Sequence, residues 1–223
     1  MLDDLGMSLR NLVGAVPGGV VVFFTSYAAE ERAFQRWTKT GLLSQIERTR
    51  RYIREPRSPG SSETTTVPES TIDSTLRMYA DAVRTDGGAV LSSVVGGKLS
   101  EGINFKDALA RCVVMVGLPY PSRGDTELAA RMAYLDRSVG PGAGDTHYEN
   151  LCMKAVNQAI GRAIRHARDY ACIVLADTRY AENSSVRGKL PGWVEERTEF
   201  GGSFGASLKT IRDFFRRKKA ISH

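Results

Sequence analysis

Apolar residues along the chain change their period repeatedly. Leu5, Leu9, Leu12 and Val13 recur at helical spacing over residues 5–15, and Pro17-Gly18-Gly19 stops the pattern. Val20 to Phe24 is then an unbroken run of β-branched and aromatic residues, the composition of a strand covered on both faces in a parallel sheet. It ends in the polar Thr25-Ser26-Tyr27, after which Ala29, Ala33, Phe34 and Trp37 return to helical intervals over 28–40, with Gly41 suited to the terminus. A weak strand is predicted around Tyr52-Ile53. Residues 55–71, rich in Ser, Thr, Pro and Glu, read as an exposed loop, mobile over 56–70, because they offer too little apolar surface to offset the entropy of ordering.

A helix is predicted from about Ser70 to Val83, and Asp86-Gly87-Gly88 turns into a buried strand over 89–95. A glycine-rich loop at 96–105 precedes a strand at 112–116, which closes on Gly117-Leu118-Pro119. Beyond it come a helix at 125–138, a loop at 139–147, a long helix at 148–165 and a last strand at 171–175; the segment from about 120 to 150 reads as a helical insertion. Apolar strands alternating with amphipathic helices predict an α/β fold with a mainly parallel sheet flanked by helices. At 223 residues and 24.4 kDa the chain is read as a single unit, 1–223, long enough to bury a substantial core.

Composition adds exclusions. No window approaches the roughly 18 unbroken apolar residues of a membrane span, and Asp3 and Asp4 are out of place in a signal peptide, so no membrane partner is expected. Cys112, Cys152 and Cys172 are odd in number and far apart in sequence inside apolar runs, so they read as buried thiols rather than a disulfide framework or a metal knuckle. The formal charge of +6, from 31 Lys+Arg against 25 Asp+Glu, is compatible with a polyanionic partner.

In a parallel sheet, ligands collect at the carboxyl ends of the strands. Thr25-Ser26-Tyr27, the loop Gly96 to Phe105 and Asp177-Thr178-Arg179-Tyr180 all follow predicted strands. The most informative segment is Gln158 to His166. On one continuous helix Gln158, Arg162 and Arg165 would share a face, a converging anion clamp suited to a triphosphate whose charge migrates during cleavage. A solvated basic helix face is the plainer reading of the same spacing. Gly161 favours the clamp, because a glycine inside a helix costs on the order of 1 kcal/mol and is tolerated where another backbone or a ligand comes close.

The Gly97-Lys98 dipeptide fails as a P-loop, since Ser92 stands where an earlier glycine is needed and Leu99 follows the lysine. Lys98 and Ser100 are instead candidates to reach phosphates, with Gly102 permitting close approach, against the alternative of a turn held by Ser100 and Asn104. Asp177 has no second acid beside it and is read as having a structural or surface role. His147, His166 and His223 form no convergent ligand set, so no metal site is expected.

VVVFFTSY at 20–27, GGKLSEGINF at 96–105, CVVMVGLPYP at 112–121 and QAIGRAIRH at 158–166 resemble motifs IV, V and VI of the XPD-like superfamily 2 DNA helicases, the iron–sulfur, DEAH-type group. NLCMKAVNQ at 150–158, LADTRYA at 175–181 and GKLPGWV at 188–194 extend the resemblance over nearly the whole chain, and Asn104 together with 150–166 most resembles the sister-chromatid-cohesion branch. The resemblance implies a RecA-like second (C-terminal) motor lobe. It implies that Gln158, Arg162 and Arg165 approach the γ-phosphate of ATP, the arginines as finger residues, with Gly161 beside them. Glu101, Gly102 and Asn104 would couple the nucleotide cleft to DNA, while Thr25, Ser26, Lys98 and Ser100 would meet a single-stranded backbone.

In that family the first lobe supplies the P-loop, the magnesium site and four iron–sulfur cysteines, none of which this sequence contains. ATP and Mg2+ would therefore be shared with a first lobe in cis, the iron–sulfur cluster would belong to that lobe, and the chain alone would be inactive. The implied setting is nuclear: ATP-driven translocation on single-stranded and forked DNA, 5′-to-3′, in genome maintenance and sister-chromatid cohesion, with replication or cohesion proteins as partners. Ala159 departs from the family, where arginine is common, which leaves the DNA path and the wedge against duplex open. A sequence that starts directly before motif IV reads as a piece of a longer protein. The alternatives are a stand-alone nucleic-acid or protein docking module without catalysis, and an α/β scaffold whose arginines are merely surface.

Overall fold

The computed structural model of the chain describes residues 1–57, 68–99, 105, 107–164, 166 and 169–221. The elements run α1 (Leu2–Ala15), β1 (Val20–Phe24), α2 (Tyr27–Thr40), α3 (Leu42–Glu47), β2 (Arg51–Arg54), α4 (Glu69–Thr85) and β3 (Ala89–Val94). A 3-10 turn (Asp107–Ala110) leads to β4 (Cys112–Val116), α5 (Thr126–Ser138), α6 (Ala143–Gly161) and β5 (Cys172–Ala176). Three helical turns follow, α7 (Arg179–Glu182), α8 (Ser184–Arg187) and α9 (Gly192–Glu195), before α10 (Phe204–Ile221).

The five strands form one sheet in the order β2-β3-β1-β4-β5, and every neighbouring pair is parallel. Consecutive strands β3 and β4 lie on opposite sides of the central β1, so the strand order switches there. Alternation along the strands sorts the core into two layers. Val21, Phe23, Leu91, Val113 and Met115 pack under α4 and α6 with Tyr79, Val83, Cys152, Val156 and Ile160. Val20, Val22, Phe24, Val90, Cys112 and Val114 face α1, α2, α3 and α10, against Leu12, Trp37, Ile46, Ile211 and Phe215.

Local signals set the helix ends. Ser26 caps α2, its hydroxyl accepting from the Ala29 amide at 3.1 Å, and Gly41 ends the helix with φ 74°. Asp125 caps α5 by accepting from the amides of Glu127 (2.9 Å) and Leu128 (3.1 Å). Among the described residues, no helix is long and apolar enough to cross a membrane.

Three expectations are corrected. The long helix spans 143–161 rather than 148–165: it starts after Gly142, whose φ of 86° suits a glycine, and ends at Gly161, so the helical face of Gln158 does not continue through Ala163 and Ile164. Residues 143–147, read as loop, are its first turns, and Gly144 lets it approach α5, since a Cβ there would lie 2.7 Å from the Met132 carbonyl. Glu55, read as the start of an exposed loop, is 8% exposed and anchored in the core. Cys112 and Cys172, remote in sequence, are register partners on β4 and β5. They remain free thiols, with hydrogen bonding to Cys172 and burial raising the Cys112 pKa, while the same bond lowers that of Cys172. Residues 58–67 of the loop expected to be mobile lie outside the described residues.

Candidate functional site

At the carboxyl edge of the sheet, the ends of β1, β2 and β3 are tied together by one buried carboxylate. Glu55, directly after β2, accepts hydrogen bonds from the Tyr27 hydroxyl (2.8 Å), the Ser93 hydroxyl (2.6 Å), the Val94 amide (2.9 Å) and the Leu99 amide (3.2 Å). The glycine turn wraps against it: a Cβ on Gly97 would sit 2.5 Å from Glu55 Oε1. Leu99, fully buried, plugs the loop into the core and leaves Lys98 exposed between two fixed points. Burial, reinforced by the neighbouring Glu55 charge, raises the Tyr27 pKa, so this hydroxyl stays a donor.

A second buried carboxylate braces the other face. Glu30 receives the Ser92 hydroxyl (2.9 Å) and the guanidinium of Arg54 through Nε (2.8 Å) and Nη2 (2.5 Å); Arg54 also reaches Glu31 (2.6 Å) and lies 3.8 Å over the Phe34 ring. Burial opposes the Arg54 charge, but the bonds to Glu30 and Glu31 outweigh it and hold its pKa above the ordinary value. Ser92 and Ser93, adjacent on β3, thus bond to carboxylates in opposite layers. Toward β4 and β5, Gly117 (φ 80°) lies between Thr25 and Asp177: its Cβ would be 3.0 Å from Thr25 Cγ2 and 3.9 Å from Asp177 Oδ2. Asp177 takes a bidentate pair from Arg179 (2.9 and 2.7 Å), which lowers its pKa and gives it the structural role expected of it.

The structure therefore gathers Thr25, Ser26 and Lys98 on the carboxyl edge. It does not bring the arginine segment there. α6 leaves the carboxyl side, where Tyr148 donates to the Pro121 carbonyl at 2.9 Å, and travels back over the sheet toward the start of β5. Parallel strands require this return, so Gln158, Gly161 and Arg162 face the amino edge. Gln158 is exposed in the last turn, Arg162 is half-buried as the residue capping the helix, and the buried Ile160 and Ala163 hold that end in place. A Cβ on Gly161 would meet nothing within 4 Å, so no neighbour in this chain requires a glycine there. Arg165, Ser100, Glu101, Gly102 and Asn104 lie outside the described residues.

At the amino edge Arg111 donates to Asp169 (2.7 Å) and to the Tyr170 carbonyl (2.8 Å) and stacks 3.9 Å from the Tyr170 ring centre. His166, 3.2 Å from Asp107, comes with Asp107 and Asp169 into a group whose ligand atoms all lie within 4.8 Å of one another, a proximity the sequence did not announce. Asp169 is held by Arg111, and the other two side chains are exposed. The residues missed from sequence are Glu30 and Glu55. The signal available was Ser92-Ser93 inside an otherwise apolar strand, because buried hydroxyls need partners.

An open parallel sheet with its strand order switching at β1, a pinned glycine loop at one edge and a helix-end arginine toward the other defines the chain as a RecA-like α/β lobe. The helicase C-terminal domain family matches residues 9–197, and the chain belongs to it. It is 44% identical over 230 residues to the ATP-dependent DNA helicase DDX11 of Danio rerio, covering 98% of this chain and 25% of that protein. To the ATP-dependent DNA helicase chl1 of Schizosaccharomyces pombe it is 38% identical over 225 residues, covering 98% of the chain and 26% of that protein. The chain thus spans about a quarter of the length of these relatives. A solved XPD helicase shares the fold, with a TM-score of 0.58 at 24% identity over 85% of this chain and 30% of that one. The chain is a helicase C-terminal domain related to DDX11, with the fold of the XPD helicase lobe.

Proposed function

We propose that this lobe forms one wall of an ATP cleft and one bank of a single-stranded DNA track in an ATP-dependent DNA helicase. The observation that carries the reading is the end of α6. Gln158 is exposed and Arg162 half-buried beside Gly161, where the space a Cβ would fill is open. An amide and a planar guanidinium at a helix end fit a polyphosphate, and the open space beside Gly161 admits a close approach from a facing lobe. Bound ATP with Mg2+ supplies the phosphoryl group and its migrating charge. Arg162, Gln158 and, from the family motif, Arg165 would stabilise that charge from this side. Glu101, Gly102 and Asn104 would relay the state of the cleft along the loop between β3 and β4, whose Lys98 end Glu55 anchors.

Thr25, Ser26, Lys98 and Ser100 would hold the sugar-phosphate backbone without reading bases. The P-loop, the magnesium ligands and an iron–sulfur cluster belong on this proposal to a first lobe in cis, leaving the chain inactive alone. The finer setting is inferred on the same footing: 5′-to-3′ movement on forked DNA, in the nucleus, in genome maintenance and sister-chromatid cohesion alongside replication or cohesion proteins. Relatives named ATP-dependent DNA helicases support the DNA-helicase reading, and the finer setting rests on the sequence resemblance alone.

The test is ATP hydrolysis by the two-lobed protein with saturating single-stranded DNA. Arg162→Ala or Arg165→Ala is expected to lower turnover by on the order of 10³-fold with the fold intact, and lysine at either position to recover little, because an ammonium lacks the planar fork. Near-normal turnover in both alanine variants, with stability changed by less than about 0.5 kcal/mol, is the outcome of a solvated basic face and would overturn the assignment.

A further inference from the structure

The chain's positive charge is concentrated on one element. α10 carries Lys209, Arg212, Arg216, Arg217, Lys218 and Lys219 against the single Asp213, a net +5 of the whole chain's +6. Outside α10 the Lys98 edge, the α6 end and everything else nearly balance. α10 also lies beyond residue 197, where the match to the helicase C-terminal domain model ends.

The helix separates its faces. Ile211 and Phe215 are buried and Leu208 and Phe214 partly so, all in the layer shared with α1. Lys218 is drawn in over Tyr170 and Phe214, at 5.3 and 5.8 Å from their ring centres. Lys209, Arg212, Arg216 and Lys219 are all exposed, at successive spacings of three, four and three, which places them in one stripe. Ten residues of helix make that stripe about 15 Å long. Asp213 alone interrupts the charge, 3.6 Å from Arg216 in a solvent-exposed pair worth little.

We propose that this stripe is a second contact surface for a nucleic-acid backbone, separate from the Lys98 edge; it rests on the nucleic-acid reading above. The partner follows from the chemistry. Protein interfaces are organised around buried aromatic or aliphatic anchors, and here the large apolar side chains from Leu208 to Phe215 turn inward, so that between Lys209 and Lys219 the exposed side chains are cations and Thr210. Regular charge without an anchor suits a regular polyanion, whose binding is driven by counterion release. With one phosphate per roughly 3.4 Å of each strand, about 15 Å of stripe lies along some four phosphates.

The test measures binding of the chain to a labelled single strand, a duplex and an oligoglutamate of equal charge, each from about 50 to 200 mM salt. Lys209, Arg212, Arg216 and Lys219 are changed together to Gln. Because all four are exposed, thermal unfolding should be unchanged, while the slope of log affinity against log salt shrinks by about 3 on the nucleic-acid form that uses the stripe. Loss on the duplex alone, or on the single strand alone, supports the surface and identifies its form. The charge-preserving set Lys209→Arg, Arg212→Lys, Arg216→Lys, Lys219→Arg should keep the slope. An unchanged slope on both nucleic acids overturns the proposal, as does an oligoglutamate that binds as tightly as DNA and is lost equally. Lys98→Gln, measured in parallel, reports on the carboxyl edge independently, so either surface can fail without the other.

Discussion

Tyr27 donates its hydroxyl hydrogen to Glu55 across 2.8 Å, joining the first residue of α2 to the residue after β2. The same carboxylate holds the Ser93 hydroxyl and the amides of Val94 and Leu99, so four donors from three stretches of chain converge on two oxygens. Ser26 caps α2 one residue before Tyr27, and Lys98 precedes Leu99. The two candidate backbone contacts are thereby referred to one anchor. Any movement of the Lys98 loop must be accommodated by Glu55 and is felt at the start of α2.

Removing donors from Glu55 should therefore cost more than an ordinary surface change. Tyr27→Phe leaves the carboxylate one donor short and is expected to destabilise by about 1.5–3 kcal/mol, the range for hydrogen bonds to a charged group. Glu55→Gln should cost at least as much, since one oxygen facing donors becomes an NH2 group. In a denaturant-melt double-mutant cycle with Ser93→Ala, the two deletions should couple rather than add. Strict additivity would show that the donors act independently and that Glu55 is no hub.

The sheet and its two layers were legible because strand runs and helical spacing report burial directly. Val20 to Phe24 and Cys112 to Val116 could be little else than strands. The carboxylate hubs were not legible, since Glu30 and Ser92 are 62 residues apart and no local pattern announces their meeting. Ser92-Ser93 carried the only hint, and a hydroxyl does not name its acceptor. The edge that the arginine segment reaches was not legible, for a topological reason. The segment's residue types pointed to a phosphate, but only the return of α6 across a parallel sheet fixes which edge they reach. α10 has an inward series of Leu208, Ile211 and Phe215 that periodicity could have found, with the cations on the outer face.

The close approach at Gly97 predicts a sharp contrast with its neighbour. A Cβ on Gly97 would lie 2.5 and 2.9 Å from the two Glu55 oxygens, and that carboxylate cannot swing away without losing its bonds. Gly97→Ala is expected to cost about 1–3 kcal/mol by overpacking. At Gly96 (φ 74°) nothing lies within 4 Å, so Gly96→Ala should cost about 1–2 kcal/mol through the left-handed backbone alone. Restoring space with Glu55→Asp should relieve the Gly97 variant and leave the Gly96 variant unimproved in thermal melts.

Acid should weaken the fold in a window set by paired carboxylates. Hydrogen bonds from Arg179 lower Asp177, and those from Lys189 and Ser185 lower Glu149. A carboxylate depressed in the folded state contributes stability that is complete above its unfolded value, about 4, and lost as the pH falls through and below it. Urea midpoints should stay level from about pH 7 to 5 and then decline. Replacing Arg179 and Lys189 together by Gln should lower the neutral-pH midpoint and flatten the decline; an unchanged slope below pH 4 would remove these two pairs as its source.

The Glu30–Arg54 pair gives the sharpest test of what a buried ion pair contributes. Glu30 is 5% exposed and receives both Arg54 and Ser92, so Glu30→Ala takes the carboxylate partner from a fully buried hydroxyl and leaves a half-buried guanidinium with Glu31 alone. Breaking such a pair from one side is expected to cost about 3 kcal/mol, the low end of the range for a one-sided break, because Glu31 still compensates part of the Arg54 charge. Taking the charges in concert should behave differently. Glu30→Leu with Arg54→Met and Ser92→Ala removes donors and acceptor together and refills their volume beside Phe34 with apolar atoms, so it should be near neutral or mildly stabilising. Denaturant melts of the single and triple variants decide the matter. If the triple variant is as unstable as Glu30→Ala, the pair stabilises the lobe outright; if it recovers, the network's contribution is to fix how α2 sits on β2 and β3, seen as narrower side-chain resonances in the original chain than in the triple variant.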